Sequence, residues 1–264
     1  MKLHYSLSGS FILLIVLLGW SNLCVGQGDQ FLLTGKVTFE RKINAKAVMA
    51  DMLPVKAIKE PDYQKYVTEN PQFKTSNFFL FYDKDKTDFF PESPQKMTPV
   101  SNDEWFAMVS NDNLVQTDLT KRNYVATKKV FGTTYNLEDS LKKINWKITN
   151  EYRTIAGYEC RRANAVIRDS IYVVAFYTSE IHVSGGPESF NGLPGMILGL
   201  ALPHDHVSWF ATAVTQIPAD YKRSDIAQGK GGRNTIGQYE AKIGEMIKQW
   251  GPAGGIIFRK VLIF

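Results

Sequence analysis

The sequence predicts a mainly β fold of the α+β type, with one strongly curved antiparallel sheet forming an open barrel or half-barrel. Most apolar residues fall in short runs rich in Tyr, Phe, Trp, Val and Thr, with turn residues between them. In the second half of the chain only a few residues separate successive runs, which favours antiparallel neighbours over crossover helices. Near the C-terminus one segment has helical periodicity instead, and it predicts a covering helix.

The predicted strands begin with residues 31–41, where Val37 and Phe39 alternate with polar residues from Lys36 onward. Such alternation is typical of a strand with one face in the core and the other in solvent. The other predicted strands lie within NFFLFYD (77–83), EWFAMVS (104–110), NYVATKKVF (123–131), INWKITNEYRTIAGYECRRANAVI (144–167), IYVVAFYTSEI (171–181) and HVSWFATAV (206–214).

Two segments break this strand pattern before the C-terminus. Residues 59–72 (KEPDYQKYVTENPQ) have the composition of a short helix that ends at Asn70-Pro71. Residues 84–103 hold three prolines and many polar residues, which predicts a loop or an irregular hairpin tip. Because aromatic runs of the same style flank this second segment, it does not indicate a domain boundary.

The predicted C-terminal helix covers residues 234–250. Its apolar residues recur at helical spacing and form one stripe, consisting of Ile236, Tyr239, Ile243, Met246, Ile247 and Trp250. Asn234 is the predicted N-cap, and Gly251-Pro252 is predicted to end the helix. A helix with a single apolar stripe needs a surface to cover, so we expect it on the concave or open side of the sheet.

Residues 1–26 are predicted to be a cleaved signal peptide. Lys2 precedes an apolar core of ten residues, 11–20, which is too short for a spanning helix of ~20 residues. Small residues Cys24 and Gly26 make Gln27 the expected first mature residue. A lipoprotein would carry its lipid on Cys24, but Leu23 before it is not small, so this alternative is less favoured. The prediction is therefore a periplasmic or secreted protein with a single β-rich domain over 27–264.

The charge of the chain argues against nucleic-acid binding. Loss of Lys2 reduces the 31 basic residues to 30 against 26 acidic ones, a net charge of +4. The basic residues are scattered in pairs and form no clustered stretch. No stretch beyond the signal is long and apolar enough to span a bilayer. The expected partner is an envelope protein or an apolar ligand.

Motifs for the common catalytic chemistries are absent from the sequence. GKGGR (229–233) lacks the spacing of a phosphate-binding loop, and no GxSxG, HExxH or CxxC motif occurs. One metal hypothesis stands on His204 and His206, which would share a face if they lay on one strand. They would then hold zinc or copper, with His182 as a third ligand. The same residues are equally consistent with a polar hairpin tip.

The stretch FNGLPGMILGL (190–200) concentrates glycine and proline in an apolar setting. Leu193-Pro194-Gly195-Met196 suits a type II turn, because proline presets φ at the second position and glycine accepts a positive φ at the third. MILGLAL (196–202) then follows as a buried strand or an apolar helical turn. The structural interpretation is a turn that leads an apolar segment into the core. The functional alternative is a loop whose backbone N–H groups contact a ligand.

Three ordered motifs, WKITNEYRTIAGYECRRANA (146–165), FYTSEI (176–181) and GPESFNGLPGMILGL (186–200), resemble the GLPGLI family of exported bacterial proteins. Methionine stands here at the fifth position of the naming motif. The resemblance implies export but no established activity. It singles out as candidate ligand or motif residues Asn191, Gly192, Leu193, Pro194, Gly195, Met196, Ile197 and Cys160. The order of strands also resembles the half-barrels of periplasmic lipoprotein carriers and sensors.

These observations lead to a predicted non-enzymatic binding or carrier protein for an apolar or peptide-like ligand, or for a protein partner. The alternative is a metal-handling or redox-linked protein that uses His204, His206 and Cys160. Cys160 is the only cysteine after the signal, so no internal disulfide is expected, and a lone cysteine is most often buried. An enzyme of unknown type is the third hypothesis.

Overall fold

Eleven strands hydrogen-bond side by side in one antiparallel sheet. The structure is a computed structural model and describes residues 34–92, 113–130, 132–217 and 232–262. The predicted signal peptide (1–26) and the predicted strand at 104–110 lie outside these residues. The strands are β1 Gly35–Asn44, β2 Phe73–Tyr82, β3 Lys86–Pro91, β4 Leu114–Asp118, β5 Asn123–Val130, β6 Thr133–Ser140, β7 Lys147–Ile155, β8 Tyr158–Ile167, β9 Ile171–Thr178, β10 Met196–Leu202 and β11 Val207–Thr215.

The sheet is open, and it curves so strongly that its two ends face each other. Its strand order is β6-β5-β4-β3-β2-β1-β11-β10-β9-β8-β7, so β6 and β7 are the edges and pair on one side only. Residues of β5 and β8 nevertheless line a common pocket, although seven strands lie between them. Irregularities in pairing on β11, β7 and β10 add local twist and bend. The predicted open half-barrel is confirmed.

The core lies on the concave face of the sheet. The alternation predicted for residues 36–41 is confirmed, because Val37 and Phe39 are fully buried and their polar neighbours are more exposed. Phe39 and Phe78 both contact Phe89, whose ring stacks on Phe78 with centroids 4.9 Å apart. Burial of such large side chains supplies most of the favourable free energy of folding.

The expectation of a loop over residues 84–103 is wrong for Lys86–Pro91, which is β3. This strand pairs with β2 on one side and β4 on the other. Phe89 faces the core, and Pro91 stands at the last position of the strand, where its missing N–H costs least. Composition alone predicted a loop because proline and acidic residues are uncommon in strands. The strand forms here because β2 and β4 hydrogen-bond to it on both sides. The remainder of this segment, from residue 93, lies outside the described residues.

Two short helices follow β1. α1 is Ala45–Ala50, and the side chain of Asn44 caps it by accepting a hydrogen bond of 3.2 Å from the N–H of Ala47. α2 is Glu60–Glu69, with proline in its first turn and acidic residues near its N-terminus, as helix starts favour. Tyr66 of α2 packs on apolar residues of α1. The helix predicted within residues 59–72 is confirmed.

α3 spans Ile236–Ile247 and covers the open side of the half-barrel. Tyr239, Ile243 and Ile247 are buried, as the apolar stripe predicted. The ring of Tyr239 lies edge-on to that of Tyr135 in β6, with centroids 5.2 Å apart. The N-cap is Thr235 in a capping box with Gln238, and not Asn234 as the sequence suggested. The backbone of Asn234 instead hydrogen-bonds with β6.

A further helix, α4 at Gly251–Leu262, was not predicted. A 3₁₀ turn at Lys248–Trp250 links it to α3, and Gly251 there has a φ of 55°. α3 ends at Ile247, before the predicted end at Gly251-Pro252, and Pro252 stands instead in the first turn of α4, where its missing N–H is harmless. Ile257 and Val261 of α4 are fully buried. Within the described residues, no helix has the length and apolar character needed to cross a bilayer.

Candidate functional site

A pocket of about 270 Å³ lies between the two ends of the curved sheet. Strands β4 and β5, the segment after β6, the end of β8, the β9–β10 connection and the start of α3 all contribute to its wall. The lining residues are Val115, Tyr124, Ala126, Lys128, Leu141, Lys142, Lys143, Ile144, Asn145, Val166, Ile167, Arg168, Glu188, Ser189, Phe190 and Ile236. The wall is thus mostly apolar, with a small number of charged groups.

Lys128 is the buried cation of this pocket. The alternation of β5 places it on the concave face between Ala126 and Val130, and only 2% of its surface is exposed. Among the described residues, its ammonium group has no hydrogen-bond partner, and it lies 5.8 Å from the centre of the Tyr239 ring. Burial lowers the pKa of Lys128 to about 8, although the carboxylate of Glu188 opposes this shift.

Glu188 is the buried anion beside Lys128. It comes from the long β9–β10 connection, and 2% of its surface is exposed. One carboxylate oxygen accepts a hydrogen bond of 3.0 Å from the side-chain amide of Asn113, just before β4. The backbone of Glu188 has a φ of 55°, which is uncommon for a residue with a side chain and occurs often at functional sites. The connection is therefore tied across the concave face.

The charged groups lining the pocket have a positive balance. Lys128, Lys142, Lys143 and Arg168 face one carboxylate, that of Glu188. Arg168, in the β8–β9 turn, forms an ion pair with Glu240 of α3, and this contact joins the helix to the end of the sheet opposite β6. Lys142 and Lys143 are exposed at the rim. The pocket therefore presents apolar surface and net positive charge.

Residues 191–197, called the GLPG stretch, adjoin the pocket without lining it. Leu193, Met196 and Ile197 are buried in the core, whereas Gly192 and Pro194 are exposed. The N–H of Met196 donates to the carbonyl of Ile181 at 3.1 Å, and that of Ile197 donates to Gly185 at 2.8 Å. The stretch therefore leads the chain from the connection into β10, as the structural interpretation proposed. A role of these residues in ligand contact stays a prediction.

The turn in this stretch is not the expected type II turn. The N–H of Gly195 donates to the carbonyl of Leu193 at 2.8 Å, which closes a tighter turn around Pro194. Gly195 does have the expected positive φ, at 144°. A Cβ there would stand 2.0 Å from the carbonyl oxygen of Thr178 at the end of β9. The hydrogen bond of Met196 to Ile181 replaces the one that a type II turn would require.

Asn191 holds the start of this stretch. Its side-chain amide donates to the backbone carbonyl of Ser189 at 2.8 Å. The backbone carbonyl of Asn191 accepts from the indole N–H of Trp146 at 2.9 Å. Gly192, with a φ of 92°, donates its N–H to the hydroxyl of Ser184. These bonds fix the connection immediately after the residues that line the pocket, Glu188 to Phe190.

The histidines of the metal hypothesis do not share a strand face. His204 lies in a 3₁₀ turn at Pro203–Asp205 between β10 and β11, and His206 follows it with a φ of 59°. The hairpin-tip interpretation is therefore the one that the structure supports. His206 lies 3.4 Å from a carboxylate oxygen of Asp51, and His182 stands in the β9–β10 connection.

Buried Asp205 supports this turn by pairing with Arg259 of α4 at 2.9 Å. Across the described residues, no group of three or more histidine, cysteine or acidic side chains is arranged to hold a metal ion. Weak zinc or copper binding through His204 and His206 remains a prediction without support from their spacing on a strand.

Cys160 lies on β8 with its side chain fully buried, as expected for a lone cysteine. Its Sγ lies 3.6 Å from the carbonyl oxygen of Tyr158. Burial raises the pKa of the Cys160 thiol to about 12, and the nearby carboxylate of Glu180 adds to this shift. Since the thiolate is the reactive form, the thiol is protonated and shielded at neutral pH.

We therefore expect Cys160 to resist the thiol reagent 5,5′-dithiobis(2-nitrobenzoic acid) in the folded protein. With the predicted mature protein, which starts at Gln27 and lacks Cys24, absorbance of the released thionitrobenzoate would remain near the baseline at neutral pH. The same protein in denaturant provides the control, because unfolding exposes the thiol and restores its ordinary pKa. Rapid labelling of the folded protein at Cys160 would contradict the burial and would favour a redox role.

Sequence reasoning did not single out Lys128 or Glu188 as site residues. A local signal existed for Lys128, because the alternation Ala126, Lys128, Val130 places a lysine on the apolar face of a strand. No local signal existed for Glu188. Its neighbours Asn113 and Lys128 are 60 or more positions away, and the curvature of the sheet brings them together.

With this geometry, the protein is an open antiparallel half-barrel with a charged pocket on its concave face. The model of a family described as a protein of unknown function (Porph_ging) matches residues 164–199, from β8 to β10. This range contains the connection that carries Glu188 and the GLPG stretch, and it ends within β10. No curated protein matches the sequence.

Two solved structures of PNGF-II are similar to this chain. In space group P21 the TM-score is 0.50 with 14% sequence identity, covering 79% of this chain and 32% of that chain. In space group C2 the corresponding values are 0.46, 16%, 76% and 30%. The chain therefore spans about a third of the length of PNGF-II. At this identity the first likeness shows the β-rich fold alone.

Proposed function

We propose that this protein is an exported binding or carrier protein that holds a small, mainly apolar ligand in the concave pocket. The pocket itself carries the proposal. Its volume of about 270 Å³ lies just below the range of ~300–1,000 Å³ typical of small-molecule sites. Apolar residues form most of its wall, and a few charged groups converge on it. This combination is the usual composition of a ligand site.

The pocket favours binding over metal handling as the function. The metal hypothesis depends on His204 and His206, which lie in the turn between β10 and β11 and not at the pocket. Asp205, between them, pairs with Arg259 and so helps to hold α4 in place. These contacts give the turn a structural role that needs no metal.

Export and membership of the GLPGLI family are part of the same proposal. The short apolar core before Gln27 supports a signal peptide and hence a periplasmic or secreted location. The three ordered motifs of residues 146–200 support the family, and the match of residues 164–199 to a family of unknown function falls within them. A carrier or sensor for an apolar ligand fits such a location, and an envelope protein is the alternative partner.

The uncharged fluorescent probe N-phenyl-1-naphthylamine tests the proposal. We expect it to bind the purified protein with a rise in fluorescence. The variant Ser189→Trp should reduce the affinity on the order of tenfold, because an indole at this half-buried lining position fills the pocket. The matched control is Thr75→Trp, at an exposed position on β2 outside the pocket.

Equal effects of the two tryptophan substitutions would contradict the assignment of the pocket. Far-UV circular dichroism of both variants would first establish that they fold like the parent. A probe that fails to bind the parent at all would argue against an apolar ligand site.

A further inference from the structure

We propose that the pocket selects ligands with a carboxylate at one end of an apolar body, and that Lys128 binds this carboxylate. The inference rests on the proposed function, because it specifies the ligand of the same pocket. A fatty acid and the C-terminus of a short apolar peptide share this chemistry. The experiment below distinguishes these two sources from each other and from an uncharged ligand.

The environment of Lys128 requires an acceptor. A lysine ammonium has three hydrogen-bond donors, and a buried polar group without a partner costs free energy. Lys128 is 98% buried, since 2% of its surface is exposed, and its ammonium has no hydrogen-bond partner among the described residues. The ring of Tyr239, 5.8 Å away, offers only a weak cation–π contact. A ligand carboxylate would supply oxygen acceptors where the protein supplies none.

Glu188 favours the charged form of Lys128 but accepts no hydrogen bond from its ammonium group. Asn113 already donates to one of the carboxylate oxygens of Glu188. The other cations that line the pocket are less suited to the same task. Arg168 is paired with Glu240, and Lys142 and Lys143 are exposed at the rim, where water competes. Among these four cations, Lys128 is the one in a dry site, where a charge-assisted hydrogen bond is strongest.

The remaining wall suits an apolar body. Leu141, Ile144, Phe190 and Ile236 line the pocket together with the concave residues of β4 and β5. A ligand that placed its carboxylate on Lys128 would lay its chain against these side chains. Because Arg168 is paired with Glu240, three lysines line the pocket against the carboxylate of Glu188, and this balance favours an anion over a neutral ligand and repels a cationic one.

The test measures displacement of N-phenyl-1-naphthylamine by octanoate and by 1-octanol. Octanoate should bind more tightly than the alcohol in the parent protein. Lys128→Met keeps the length and apolar stem of the side chain but removes its charge. It should weaken octanoate on the order of tenfold more than it weakens octanol, because only octanoate loses a charge-assisted contact. The control is Lys129→Met, because Lys129 is the exposed neighbour of Lys128 on β5 and does not line the pocket.

A second variant guards against misfolding. Lys128→Met leaves Glu188 buried beside an uncharged side chain, which can destabilise the fold. The double variant Lys128→Met/Glu188→Gln removes both charges and keeps an amide that can still hydrogen-bond to Asn113. It should still bind the fluorescent probe and should show the same loss of preference for octanoate over octanol.

Two peptides distinguish the source of the carboxylate. N-acetyl-Leu-Leu carries a terminal carboxylate, and its amide does not. If the peptide acid competes better than octanoate while its amide does not compete, an apolar peptide C-terminus is the better ligand. If octanoate competes better than the peptide acid, the pocket suits a fatty acid.

The pH dependence of the preference for octanoate over octanol provides a second test of the role of Lys128. The charged and titratable groups facing Lys128 are Glu188 of the connection, Arg168 of the β8–β9 turn, and Tyr239 and Glu240 of α3. Burial lowers the pKa of Lys128 to about 8, so its ammonium loses the proton as the pH rises through that value. The preference for octanoate over octanol should therefore fall between about pH 7 and about pH 9, since octanoate stays ionised throughout.

Each outcome bears on one of the two proposals. If octanol and octanoate bind equally well, or if Lys128→Met and its double variant keep the preference, the carboxylate inference is wrong while the pocket remains a ligand site. If neither the probe nor any competitor binds, the proposed function fails and the inference fails with it.

Discussion

Gly195→Ala is expected to lower the free energy of unfolding by about 3–5 kcal/mol, enough to prevent folding of a marginally stable domain. Two penalties combine at this residue. Its φ of 144° lies where a side chain is rarely accommodated. The new Cβ would also stand 2.0 Å from the carbonyl oxygen of Thr178, a backbone atom that cannot move without disturbing the pairing of β9 with β10. Urea denaturation followed by tryptophan fluorescence provides the measurement.

Gly192→Ala is the matched control for this prediction. Gly192 also has a positive φ, at 92°, but the nearest atom to its Cβ would be the indole nitrogen of Trp146 at 3.8 Å, an ordinary contact. Only the backbone penalty applies, and we expect a loss of about 1 kcal/mol. If both alanine variants unfold at the same denaturant concentration, the close approach of Gly195 to β9 is absent.

Leu193→Ala and Ile197→Ala should each lower the free energy of unfolding by about 2–5 kcal/mol. Leu193 is 2% exposed, and Ile197 is fully buried where β10 begins. Truncation removes apolar contacts and leaves a cavity that a sheet hydrogen-bonded on both sides fills poorly. Ile197 also packs against Gly186 of the connection, where a Cβ would lie 2.8 Å from the Cβ of Ile197.

Pro194→Ala separates burial from turn chemistry in this series. Pro194 lies in the same turn but is exposed, so its replacement loses only a preset φ and should cost about 1 kcal/mol or less. The denaturant midpoints of the three variants provide the comparison. Unchanged midpoints for Leu193→Ala and Ile197→Ala would mean that the stretch is an exposed recognition loop and not an anchor for β10.

Patterns of neighbouring residues predicted the elements whose conformation depends on contacts close in the chain. The alternation of Val37 and Phe39 predicted β1, since a period of two places successive side chains on opposite faces. The stripe of Tyr239, Ile243 and Ile247 predicted α3 for the corresponding reason. The positive φ of Gly195 followed from a glycine after a proline. In each case the relevant neighbours lie within a few residues along the chain.

Prediction failed where a distant neighbour decides the conformation. Residues 86–91 form β3 because β2 and β4 hydrogen-bond to them on both sides. The turn around Pro194 is not type II because the N–H of Met196 donates to the carbonyl of Ile181 and not to that of Leu193. α4 forms after the 3₁₀ turn that ends α3, because its residues Ile257 and Val261 are buried in the core. Propensity is a weak guide at such positions, where tertiary contacts outweigh it.

The amino-acid sequence by itself determined the β character, the covering helix and the burial of Cys160, because side-chain period and composition decide these properties. The pocket required the tertiary structure. Lys128 and Glu188 meet because the sheet curves through the seven strands between β5 and β8 and the β9–β10 connection folds back across its concave face. The periodicity of the sequence does not predict that Lys128 and Glu188 lie close together, since their proximity depends on the summed twist and bulges of the whole sheet.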